Sequence, residues 1–192
     1  MLVAMEGSSP TIRGENNFKY YVWQAHQETL QVPKTYIEGP ATISTVGSIV
    51  NIRKMAKEAT DFIHCNVGDV FLVGWSRGAA ACIQVALDLS RMGSTRIKAM
   101  FLFDAVDQDG STPDFLNFIP ANVDNCYHAI AVDKSWLDRQ IFPTCGRTAA
   151  AGVNFVTREF MASHGGIAGA GNTDAGSRTW MWGHMRSHGV VP

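Results

Sequence analysis

The segment Val70-Phe71-Leu72-Val73-Gly74-Trp75-Ser76-Arg77-Gly78-Ala79-Ala80-Ala81 constrains this chain more than any other. An apolar run rich in β-formers passes directly into Gly-x-Ser-x-Gly, then into small residues with a helical pattern. That order predicts a buried strand, a tight turn and a helix with no loop between them. So tight a turn forces Ser76 into strained backbone angles and leaves its hydroxyl at the edge of a sheet. Gly74 and Gly78 suit it because a Cβ at either position collides with the neighbouring strand or helix. Ala79, Ala80 and Ala81 let the helix lie close against the sheet. Short glycine-serine patterns also occur as plain turns. The readable strand before this one and the buried helix after it single out Ser76 as a candidate nucleophile.

The rest of the chain supplies a sheet for that turn. Leu2-Val3-Ala4-Met5 is a short apolar run closed by the loop pattern Glu6-Gly7-Ser8-Ser9-Pro10. Thr35-Tyr36-Ile37 reads as a second strand, ended by Glu38-Gly39-Pro40. From about Ser48 to His64, Ile49, Ile52, Met55, Ala59, Phe62 and Ile63 recur at helical spacing. The helix after Ser76 is expected to end near Met92-Gly93, where glycine suits the position just past a helix. Ala99 to Phe103 and Tyr127 to Val132 are apolar runs without polar alternation, as in strands covered on both faces. Val153 to Val156 is the last candidate strand. Strands alternating with helices predict an α/β fold of three layers, with a mainly parallel central sheet and helices on both faces. No linker or repeat interrupts the pattern, so residues 1–192 read as one domain.

Composition narrows the function classes. With 192 residues, 46% of them apolar, the chain is long enough for a real core. A formal net charge of −1 gives no electrostatic reason to bind nucleic acid. No apolar run approaches the roughly 18 residues of a membrane span. The first residues do not carry the basic, apolar and cleavage-site pattern of a secretory leader. The expectation is a cytoplasmic protein, or one exported without a classical signal peptide. Cys65, Cys82, Cys126 and Cys145 are scattered with no Cys-x-x-Cys pair, which argues against a zinc site. Free thiols are expected over disulfides, and Cys82 reads as a small core residue.

A serine hydroxyl needs a histidine to remove its proton and a carboxylate to orient that histidine. The strand, turn and helix around Ser76 are those of the α/β-hydrolase fold, in which nucleophile, acid and histidine follow in that order. His26 and His64 precede Ser76 and are excluded by order. His128 lies inside a strand and reads as a packing residue. His164 follows the last strand by a short step and opens onto Gly165-Gly166, in the loop that the fold returns over its nucleophile. His184, on an expected C-terminal helix, reads as a surface or packing residue, and His188 stands near the end. Two carboxylates remain open. Asp104 follows the strand after the turn, Asp133 follows the next one, and both stand at carboxyl ends of strands. The commonest position in the fold, after the later strand, favours Asp133. Two backbone N–H groups are also needed against the negative charge that develops on the substrate oxygen. Arg77 supplies one candidate, and Gly7 or Ser8, in the loop after the first strand, the other. A plain turn is the alternative for Gly7-Ser8.

Several segments together carry a closer likeness. They are Met5-Glu6-Gly7-Ser8, Tyr36-Ile37-Glu38-Gly39-Pro40-Ala41-Thr42, Gly74-Trp75-Ser76-Arg77-Gly78-Ala79, Asp104-Ala105-Val106 and His128-Ala129-Ile130-Ala131-Val132-Asp133. With them the chain resembles the catalytic domain of the phospholipase effectors of bacterial type VI secretion and their uncharacterised relatives. The likeness runs from about Leu2 to Gly171. It implies Ser76 as nucleophile, His164 as base and Asp104 as acid. Glu6 stands where that family has an aspartate, Pro40 replaces a residue of its glycine motif, and no aspartate follows His164.

These readings combine into a small, cap-poor serine hydrolase of carboxylic esters, an esterase that works through an acyl-enzyme and needs no cofactor or metal. An open, shallow site favours short-chain or exposed esters. One alternative is a lipase or phospholipase, with Trp180, Met181 and Trp182 at a lipid interface; the same three residues also read as a helix packed on the core. The other is a non-catalytic binding module that keeps the fold. The expected partner is a small-molecule or lipid ester, with no nucleic acid and no membrane-embedded segment.

Overall fold

A computed structural model describes residues 1–8, 19–40, 48–93, 95–107, 114–135, 140 and 143–192. Ser9-Pro10 and Ala41-Thr42, parts of motifs read above, lie outside the described residues. The elements run β1 (Leu2–Met5), α1 (Tyr21–Glu28), β2 (Lys34–Ile37), α2 (Ser48–His64), β3 (Val70–Trp75), α3 (Arg77–Met92), β4 (Ile97–Phe103), β5 (Phe118–Ile119), β6 (Asn125–Ala131), β7 (Thr148–Ala149), β8 (Asn154–Phe160) and α4 (Ser177–Ser187). Six strands form one sheet in the order β2-β1-β3-β4-β6-β8. Every pairing in it is parallel. The two-residue strands β5 and β7 pair separately.

The continuous apolar runs have a simple cause. Side chains alternate across a strand, and here both faces are covered, so neither position can be polar. Val70 and Leu72 of β3 join a core with Ile52, Met55, Ala59 and Ile63 of α2 and the small residues of α3. Phe71, Val73 and Trp75 of the same strand join a second core with Val22 and Ala25 of α1 and Met181, Trp182 and Met185 of α4. β1 divides in the same way: Val3 and Met5 face one core, Leu2 and Ala4 the other. The result is a three-layer sandwich of helices, parallel sheet and helices.

Chain order places the functional edge. From β1 the chain goes out to β2 and then returns to β3 on the other side of β1. The connections leave in opposite directions, so a crevice opens beyond the carboxyl ends of β1 and β3, where open α/β sheets bind ligands. α3 can begin at once after β3 because Gly78 lies against β1. A Cβ there would sit 2.1 Å from the Met5 carbonyl oxygen, and one on Gly74 would sit 2.6 Å from the Gly78 carbonyl.

Some elements differ from the sequence reading. β8 continues to Phe160 rather than ending near Val156. It is an edge strand with exposed Thr157, Arg158 and Glu159, and its polar stretch hides the continuation. α1, β5 and β7 were not expected. Of the C-terminal cluster Trp180, Met181 and Trp182, the last two are buried and Trp180 is half-buried against the same core, which fits a helix packed on the core better than a lipid interface. The Trp182 indole N–H donates to Glu28 Oε2 at 2.6 Å, which ties α4 to α1. All four cysteines are free thiols, with only Cys65 exposed. No described helix is long and apolar enough to cross a membrane.

Candidate active site

Ser76 sits between β3 and α3 at φ 56° and ψ −124°, a conformation that costs a non-glycine residue of order 1–3 kcal/mol. The neighbours hold it there. Its N–H donates to the Phe103 carbonyl at 3.0 Å, and its carbonyl accepts from Ala80 and Val106. The hydroxyl is thereby turned out of the sheet toward the loop after β8.

His164 stands in that loop. Its Nε2 lies 2.9 Å from Ser76 Oγ. Its Nδ1 lies 2.6 Å from Asp104 Oδ2. A carboxylate accepting from Nδ1–H leaves Nε2 unprotonated, the tautomer that can take the serine proton. Three contacts fix the loop. The Trp75 indole N–H donates to the His164 carbonyl at 3.0 Å. Ser163 Oγ accepts the Gly166 N–H at 3.0 Å. Ser177 Oγ donates to the carbonyl of buried Ile167 at 2.7 Å. Trp75 also lies beside the imidazole, centroid to centroid 5.6 Å, and stacks on Tyr20.

Asp104 ends β4 at φ 41°, with its N–H on the Ala129 carbonyl at 2.7 Å. Its side chain is fully buried, and both carboxylate oxygens are engaged. Oδ1 accepts from Thr144 Oγ1 at 3.0 Å. Oδ2 faces both His164 and the Lys134 ammonium, the latter at 2.6 Å. Burial pushes the carboxyl upward, but the hydrogen bond and charge of His164 and the charge of Lys134 outweigh it and hold Asp104 below the usual carboxylate range.

The other candidates lie elsewhere. Asp133 is exposed two residues past the end of β6, with its N–H on the Ala162 carbonyl. His184 stacks on Tyr127 with ring centroids 3.9 Å apart, and His188 Nε2 meets the Tyr127 hydroxyl at 2.9 Å. Both belong to the α4 packing. His128 is fully buried and pushed down to about 4, by burial first, so it is neutral. Its Nε2 accepts the Ala105 N–H and its Nδ1 donates to the Gly146 carbonyl, each at 3.0 Å. That neutral imidazole pins the loop following Asp104.

Gly7 needs a correction. Its Cα packs against the elbow, since a Cβ would fall 2.5 Å from the Trp75 ring and 3.0 Å from Ser76 Cβ. Its N–H, however, donates to Glu6 Oε1 at 3.0 Å. Ser8 therefore remains as the candidate donor of that loop, beside the Arg77 candidate. Glu6 is buried and its Oε2 accepts from the Tyr36 hydroxyl at 3.0 Å. Desolvation raises it to about 7, against weaker opposition from those two hydrogen bonds. Sequence reasoning missed the roles of Glu6, Trp75, Lys134 and Thr144. Of these, only Trp75 and Glu6 stood inside motifs that had been singled out.

No protein-family model and no curated protein matches the chain. Solved structures do. The Vlm2 thioesterase domain, bound with a dodecadepsipeptide, superposes at a TM-score of 0.54 with 12% identity, over 100% of this chain and 93% of that one. A variant of Arabidopsis thaliana SOBER1 superposes at 0.52 with 11% identity, over 97% of this chain and 99% of that one. Likeness at such identity is likeness of architecture, and with the strand order and layers above it shows that this chain has a small, three-layer α/β-hydrolase fold.

Proposed function

We propose that the protein is a serine hydrolase that cleaves carboxylic esters, with Ser76, His164 and Asp104 as its catalytic triad. The observation that carries this reading is the unbroken hydrogen-bonded chain from Ser76 Oγ through His164 to Asp104. Ser76 Oγ attacks the ester carbonyl while His164 Nε2 takes its proton. The N–H groups of Arg77 and Ser8 face the oxyanion; losing one such donor costs about 3 kcal/mol of transition-state stabilisation. His164 then returns the proton to the leaving alkoxide. Water, deprotonated by the same imidazole, hydrolyses the acyl-enzyme. Asp104 holds the imidazole and stabilises its protonated form. No step calls for a cofactor or metal.

The same machinery attacks a thioester carbonyl, and the likeness to a thioesterase domain supports including acyl thioesters in the substrate class. The resemblance to type VI phospholipase effectors supports long-chain lipids as a second reading, although Met181 and Trp182 are not available to a membrane. The test is a panel of chromogenic esters and acyl thioesters of increasing chain length, with phospholipid vesicles, run on wild type and Ser76→Ala. Turnover of short chains that vanishes in a folded Ser76→Ala supports the esterase. Turnover confined to vesicles moves the reading to a phospholipase. No turnover, together with no labelling of Ser76 by a fluorophosphonate, leaves a binding module.

A further inference from the structure

We propose that Lys134 is a positioning residue of this site: its ammonium clamps the Asp104 carboxylate in the orientation that holds His164, and so extends the reaction to more acidic conditions. The proposal rests on the triad reading above. A lysine side chain only 5% exposed is unusual, because an ammonium is costly to remove from water without a partner. This one is turned toward Asp104. It lies 2.6 Å from Asp104 Oδ2 and donates to Thr144 Oγ1 at 3.0 Å, while Thr144 donates on to Asp104 Oδ1 at 3.0 Å. The three side chains close a ring, and the carboxylate plane cannot turn away from His164.

The clamp also solves a charge problem. Among the described residues, Lys134 and His164 are the groups ion-paired with this fully buried aspartate, so when His164 is neutral the compensating charge falls to Lys134, and burial alone favours the protonated acid. A protonated Asp104 no longer dictates the imidazole tautomer. The Lys134 ammonium, 2.6 Å from Oδ2, supplies that compensation. Other titratable groups packed around the pair are buried His128 of β6, Cys145 before β7, and Asp107 after β4. Arg147 and Glu159 border the cleft beside Lys134. His128 is neutral over the working range and the Cys145 thiol is pushed up by burial, so neither replaces the ammonium.

The experiment measures fluorophosphonate labelling rates and kcat/KM against pH for wild type, Lys134→Met and Lys134→Gln, with folding checked by circular dichroism. Failure to label wild-type Ser76 overturns the triad reading itself, whatever the variants do. If wild type labels, the proposal expects the acid limb of both profiles to move upward in the variants by about one pH unit. That is roughly a tenfold loss at the acid end, with recovery toward wild type at alkaline pH. A limb that stays in place, or a rate lowered by the same factor at every pH, overturns it. If neither variant folds, Lys134 is a structural residue and the proposal falls.

Discussion

A serine hydroxyl gains reactivity from its neighbours, and here each neighbour is itself held. Asp104 is fixed by Thr144 and Lys134, and His164 by Asp104 on one side and the Trp75 indole on the other. Trp75→Phe keeps a ring against the imidazole but deletes the N–H bond to the His164 carbonyl. One such bond is worth about 1 kcal/mol, so kcat should fall roughly five- to tenfold with KM little changed. Steady-state kinetics on a short ester reads this directly, and a rise in KM alone would contradict it. The two aspartates separate more sharply. Asp104→Asn should lose orders of magnitude in kcat, because an amide favours the wrong tautomer, whereas exposed Asp133→Asn should stay close to wild type. A crippled Asp133→Asn would reverse the assignment. Position along the chain made Ser76 and His164 readable. It left Asp104 and Asp133 open, because both follow strands. Asp133 faces outward and Lys134, one residue on, faces inward. No local pattern in Val132-Asp133-Lys134 announces which of the two enters the core.

Elements with strong periodicity were legible because both their faces, or one clear stripe, are buried. β1, β3, β4, β6, α2 and α3 all have this character. The elements that escaped are short or exposed. α1 has eight residues, of which only Val22 and Ala25 are buried, too few to make a stripe. β8 turns polar at the sheet edge. The join between β3 and α3 is the element-scale feature with the sharpest consequence. Gly78→Ala would drive a methyl into the Met5 carbonyl, where backbone rather than a flexible side chain must yield. Overpacking of this kind costs typically 1–3 kcal/mol or more, and here it also separates α3 from β1. Urea unfolding of Gly78→Ala should show a loss of at least about 2 kcal/mol. A variant as stable as wild type would mean that the helix can shift without cost.

Taken as a whole, the molecule hides titratable groups that no sequence pattern announces, since burial of a single glutamate or histidine is decided by elements distant in the chain. Glu6 and His128 are such groups, and they act on stability with opposite signs. Native His128 resists protonation down to about 4, while the unfolded chain takes up that proton below its ordinary 6.5. The unfolded state therefore binds more protons between those values, and stability rises with pH across that window. Native Glu6 keeps its proton up to about 7, while the unfolded chain releases it above 4.5. Here the native state binds more protons, and stability falls as pH rises from 4.5 to 7. Each effect is on the order of 3 kcal/mol, so in wild type the two nearly cancel between 4.5 and 6.5. Glu6→Gln removes one arm. Its amide can still accept from Gly7 and lie against the Tyr36 hydroxyl, but it does not ionise. The difference in unfolding free energy between Glu6→Gln and wild type should therefore move in the variant's favour by about 2–3 kcal/mol between pH 5 and pH 8. Groups common to both proteins drop out of that difference, so urea titrations at the two pH values suffice. Parallel curves would mean that Glu6 is already ionised in the native protein at pH 5, and that Gly7 and Tyr36 stabilise a buried carboxylate rather than a carboxylic acid.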